Sequence, residues 1–206
     1  LDALRTLKHN AVDHDLVTKE EKQATARRVS DSEQSVQKAR DRERRLRELC
    51  GAFAELSESS DAQARGYGLE DLLKELFALY EIQYRKSYKS EGEQIDGFFT
   101  FGGFDYLVEA RWRKESPTLD QLLAVKGKVD RKIESTRGFV FSIPPFREDV
   151  LQRLRQAGQA NLILVDGYDL ALILEGRVSL MDALQAKIDK AAQEGILYFP
   201  LAKLFT

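Results

Sequence analysis

The sequence predicts an α/β fold: a sheet covered on both faces by helices, preceded by an N-terminal α-helical segment. Three observations predict it. Two short runs, Gly138–Ile143 (GFVFSI) and Asn161–Val165 (NLILV), are apolar almost throughout, as strands buried on both faces are. Stretches with helical spacing lie before, between and after them. Residues 94–112 alternate around a Gly102-Gly103 pair, the pattern of a tight hairpin.

Composition limits the chemistry. The 206 residues are 43% hydrophobic, enough for one globular domain with an appendage. Lys and Arg number 32 against 34 Asp and Glu, so bulk charge gives no pull toward nucleic acid, and any basic surface must be local. Cys50 is the single cysteine. That excludes a disulfide framework and a cysteine zinc site within one chain, and it fits a reducing, cytoplasmic setting. His9 and His14 are the two histidines, both in the charged N-terminal stretch. Elsewhere, catalysis through Ser-His-Asp, Cys-His or a histidine-held metal is excluded, and hydrolytic chemistry would fall to carboxylates, lysines and arginines. No apolar run approaches the roughly 20 residues that span a bilayer, so no membrane partner is expected. Leu1 opens no signal peptide, and the chain also reads as a piece of something longer.

Taken in order, residues 1–65 hold no proline, one glycine (Gly51) and one aromatic (Phe53) among dense mixed charge. Leu4, Leu7, Ala11, Val29 and Val36 make a thin helical stripe, read as one or two long helices, solvated or paired in a weak coiled coil. The basic run Arg40–Arg47 is a solvated face or a phosphate contact. Ser57–Gly68 reads as a linker and 66–206 as the globular domain. Leu69, Leu72, Leu73, Leu76, Phe77 and Tyr80 predict a helix over 68–81. A strand is expected over 82–89, then the hairpin, a helix from Pro117 to Thr136, and the strand 138–143 stopped by Pro144-Pro145. A helix over 147–157, the strand 161–165, helices over 168–174 and 179–194, and an extended piece at 196–200 complete the chain.

The hairpin carries the chemistry. With Gly102 and Gly103 as the loop, Phe101 faces Phe104, Thr100 faces Asp105, Phe98 faces Leu107, Asp96 faces Glu109 and Gln94 faces Arg111. One face then shows Ile95, Phe99, Phe101, Phe104, Tyr106, Val108, Ala110 and Trp112, a core-facing set. The other shows Gln94, Asp96, Glu109 and Arg111, with Phe98 and Leu107 beyond. Opposed carboxylates repel unless a cation lies between them. Magnesium suits such a pair, taking one or two carboxylates, waters and a substrate phosphate oxygen. Two acids on a hairpin also occur as a simple solvated pair. The apolar neighbours, and Arg111 on the same face, favour the metal reading.

These pieces resemble the restriction-endonuclease-like (PD-(D/E)xK) nucleases, in particular the Mrr-type group of type IV restriction and related defence enzymes. The matching segments are Gly66-Tyr67-Gly68-Leu69-Glu70, Gln94-Ile95-Asp96-Gly97, Tyr106–Trp112 and Thr136–Ile143, and the likeness spans about 66–200. It implies a mixed central sheet with flanking helices. It also implies an Mg2+-dependent endonuclease acting on DNA, with Mn2+ able to substitute, in restriction or phage defence as a homodimer or in a larger assembly. Asp96, Glu109 and the Ala110 carbonyl would bind the metal, and Glu70 would complete the site. Glu70 also reads as an ordinary acid complementing the dipole of a helix's first turn. Arg111 departs from the family's lysine: it cannot lose a proton, but it can orient water or stabilise charge on phosphate. Lys126 or Lys128 from the next helix would then reach the site, Gln94 would orient substrate, or the domain has lost cleavage and binds nucleic acid as a sensor or scaffold. A purely structural dimerisation module is the third reading.

Overall fold

Dense charge without proline begins the chain as one long helix, α1 (Asp2–Glu58), in a computed structural model that describes residues 2–90, 93–158 and 161–205. The side chains of Leu4, Leu7, Ala11, Val29, His9 and His14 lie outside the described residues. Val36 is half exposed. Residues up to Arg44 form one unit and those from Arg45 onward a second. In the second, Leu46 is buried, and Leu49, Cys50, Phe53 and Leu56 pack against the core.

The expected linker over 57–68 contracts to Ser59–Asp61. Asp61 caps α2 (Ala62–Leu79), its Oδ1 accepting from the Gln63 and Ala64 amides at 2.8 and 3.1 Å. Gly68, which suggested a linker, is a packing glycine: a Cβ there would stand 2.5 Å from a Leu56 methyl.

β1 (Tyr84–Ser90), β2 (Glu93–Phe101), β3 (Phe104–Arg111), β4 (Arg137–Ser142) and β5 (Leu162–Asp166) form one sheet in sequence order. β1, β2 and β3 pair antiparallel, and β3, β4 and β5 parallel. Gly102 and Gly103 turn the hairpin at φ 58° and 80°, the left-handed values that glycine adopts without strain. Pairing runs from Phe101↔Phe104 to Gly97↔Val108, the expected register.

Helices cover both faces. α3 (Leu119–Asp130) and α4 (Glu148–Gln156) are the crossovers between parallel strands and bury Leu122, Val125, Val129, Val150, Leu151 and Leu154 against Leu107, Val140, Leu162 and Leu164. α3 is shorter than the expected 117–136 because the capping box of Thr118 and Gln121 starts it late and Arg131 caps it. On the other face α2, the end of α1, α5 (Gly167–Leu174) and α6 (Leu180–Glu194) enclose Phe99, Tyr106, Val108, Phe139, Phe141, Ile163 and Val165. The extended piece after α6 runs into a 3-10 turn, Leu201–Phe205. Buried Lys187 ties it down, donating to Asp169 (2.6 Å) and to the carbonyls of Leu164 and Phe199 (2.9 and 2.8 Å). Ile95 departs from expectation: it packs with Leu107 and Leu122 rather than with Phe99. The β1–β2 ladder keeps one register on both sides of Ser87 and Asp96 but has no registered pair there, and the packing of β2 differs on the two sides of that point. Among the described residues, no helix is long and apolar enough to cross a membrane.

Candidate active site

Where β2 stops pairing with β3, an open cleft of about 410 Å³ forms. α2 lends it Gln63, Gly66, Tyr67 and Glu70; β2 lends Gln94 and Asp96; β3 lends Glu109, Ala110 and Arg111; α3 lends Lys128. Of the eight residues singled out from the sequence, seven line this cleft and Lys126 does not.

The expected face-to-face pairing of Asp96 with Glu109 is replaced by a different geometry. The antiparallel ladder ends one pair short, at Gly97↔Val108. Beyond it the Asp96 carboxylate takes over as acceptor, its Oδ2 receiving the Ala110 amide at 3.0 Å. A side chain thus substitutes for main chain in the ladder and parts the two strands.

Glu109 is held by two cations. Its Oε1 accepts from Arg111 Nε at 3.2 Å and lies 3.1 Å from Nη2, while its Oε2 accepts from Lys128 Nζ at 2.8 Å. Lys128 also donates to the main-chain carbonyl of Gln94 at 3.0 Å. Gln94 therefore contributes its backbone to this contact, and its side chain is exposed. Lys126 does not line the cleft and is ion-paired with Asp130 one turn along α3.

Among the described residues, three polar groups are buried without a hydrogen-bond partner: Glu70 Oε2, Arg111 Nη1 and the Tyr84 hydroxyl. Each such group costs free energy unless something else satisfies it. Burial, then the charge of Glu109 and more weakly that of Glu70, push the Asp96 carboxyl up to about 6, against the opposing pull of the Ala110 amide and Lys128. Burial, then Asp96 and Glu70, push the Tyr84 phenol up as well. Tyr84 was not legible as a site residue. The available signal was Gly97: a Cβ there would fall 1.9 Å from the Tyr84 hydroxyl, so this glycine lets the ring lie across β2.

Among the described residues, no group of three His, Cys, Asp or Glu side chains has the spacing to enclose a metal ion. Asp96 and Glu109, with Glu70 Oε2 unsatisfied nearby, make an oxygen-only donor set with too few ligands for a closed cage. That set suits a divalent ion that completes its shell with water and substrate oxygens.

The sequence model of the Mrr_cat family, described as a restriction endonuclease, matches residues 62–174, more than half of the chain. The chain belongs to this restriction endonuclease family. Its mixed five-stranded sheet with flanking helices is the family's α/β fold, and the family is one of nucleases. The match contains every residue of the cleft named above. Solved structures similar to this chain include these three. They are a protein of unknown function, AF1548 (13% identity, 62% of this chain and 77% of that one, TM-score 0.41), and VC1899 from Vibrio cholerae (18%, 55% and 33%, 0.39). The third is the MspJI restriction endonuclease, crystallised with a 27-mer oligonucleotide (17%, 77% and 38%, 0.38). The chain spans only about a third of VC1899 and little more of MspJI. No curated protein matches.

Proposed function

We propose that this family member hydrolyses phosphodiester bonds in DNA with Mg2+, or Mn2+ in its place, held by Asp96 and Glu109, in restriction or phage defence. The observation that carries the reading is the convergence of three carboxylates (Asp96, Glu109, Glu70) and two cations (Arg111, Lys128) in one cleft. A divalent ion there would supply positive charge to the scissile phosphate and acidify an attacking water. Glu70 Oε2 and the Ala110 carbonyl are the further oxygens this chain would offer it. Arg111 presents Nη1, whose hydrogens lack a protein partner, as a donor to charge building on phosphate. Lys128 brings from α3 the ammonium that Arg111 replaces on β3, and it shares Glu109 with that arginine. Gln94 sits beside it and is available to orient substrate.

Plasmid nicking with Mg2+ or Mn2+ tests this reading. Asp96→Ala and Glu109→Ala should lose cleavage while retaining a cooperative melt, and nicking that persists in Asp96→Ala refutes the assignment. The arginine at 111 favours a second reading, a DNA-binding sensor or scaffold that does not cut. Duplex binding without nicking under either ion supports that one. A homodimer or a larger assembly would present two clefts to the two strands. Sedimentation of the chain with and without DNA checks this.

A further inference from the structure

We infer that the α2 wall of the cleft seats the sugar–phosphate backbone of the bound strand, with Gly66 as the point of closest approach and Tyr67 as a stacking face beside it; this rests on the nucleic-acid reading above. α2 carries two interior glycines, each of which weakens a helix relative to alanine. Gly68 has a packing reason, because Leu56 occupies the place of its side chain. Gly66 has none: a Cβ there would meet nothing within 4 Å. What lies over Gly66 is the cleft itself, which Ala62 and Glu70 also line. Positions 62, 66 and 70 share one helix face, so the wall is a methyl, then bare backbone, then a carboxylate.

The last of these marks the wall as ligand-facing. Glu70 is only 7% exposed, yet its Oε2 has no protein partner. Tyr67, next to Gly66, is a large ring left 54% exposed at the same cleft, as a side chain reserved for a base or sugar would be. A strand whose phosphate is held through a cation on Asp96 and Glu109 would pass along the wall that Gly66 lines, where a side chain would hold it off.

The test reads binding of a fluorescently labelled DNA duplex by anisotropy, with melting temperature and plasmid nicking measured alongside. Gly66→Ala fills open space in a helix, so it should raise the melting temperature by about 1–4 °C. It should nevertheless weaken duplex binding by about tenfold, with Gly66→Leu weaker still. Tyr67→Ala should weaken binding roughly five- to hundredfold, and Tyr67→Phe, which keeps the ring, should restore it. A lower melting temperature for Gly66→Ala would make the glycine structural and overturn the inference. Wild-type nicking with unimpaired Gly66→Leu and Tyr67→Ala overturns the wall alone. A wild-type chain that neither binds nor nicks the duplex overturns the nucleic-acid reading and this inference together.

Discussion

Asp96 is partly buried beside two other acids, so its charge is a burden on the folded chain. Its carboxyl titrates near 6 when folded against an ordinary value of 3.8. Between those two values the folded state binds more protons than the unfolded state, and stability falls as pH rises through that window. The penalty is fully present above it and absent below it. Asp96→Asn, melted in EDTA, should therefore gain on the order of 2 kcal/mol above pH ~7, and the gain should vanish as the pH falls below about 4. An equal gain at both ends of the range would show that the charge is not the cause. The two lysines of α3 separate by contact rather than by sequence. Lys128→Met removes a donor to Glu109 and should slow cleavage by roughly a hundredfold, while Lys126→Met breaks only a surface pair with Asp130 and should leave the rate unchanged. Both lysines were visible in the sequence as candidates. Choosing between them required the helix's phase against the sheet, which residue spacing does not fix.

At the level of elements, the hairpin was legible from one glycine pair and two alternating runs, down to its register. Its far end was not. Alternation describes a regular ladder, whereas at Asp96 a carboxylate competes with main chain for the Ala110 amide, the pairing stops, and Ile95 turns toward α3. Gly97 matters to the same place for a different reason. Gly97→Ala would drive a methyl into the Tyr84 ring and should cost about 1–3 kcal/mol. The cost should shrink in a Tyr84→Leu background, a coupling that urea unfolding of the double-mutant cycle would detect. Helix starts were less legible than helix interiors, because a cap such as Asp61 looks like any other loop acid until its acceptor geometry is known.

For the whole molecule, the alternation of apolar strands and helices was sufficient to give the α/β class, since a sheet buried on both faces demands it. The docking of the end of α1 was hidden. Leu46, Leu49, Phe53 and Leu56 recur at helical spacing, but these few apolar residues are diluted along a 57-residue helix dense in charge. Truncations separate the two stretches of this helix. A chain beginning at Arg45 should melt as the full chain does, because the residues from there on are a unit of their own. A chain beginning at Ala62 keeps the whole family match but strips Leu46, Phe53 and Leu56 from the core, and should lose about 3 kcal/mol or more.

The bond from the Ala110 amide to Asp96 has one more consequence. The proton of a single named peptide group looks directly at an ionising carboxylate, and the neighbouring residue is Glu109. The nuclear resonance of that amide should follow the protonation of Asp96, giving a spectroscopic gauge of the cleft's electrical state that needs no substrate, no label beyond nitrogen-15, and no turnover.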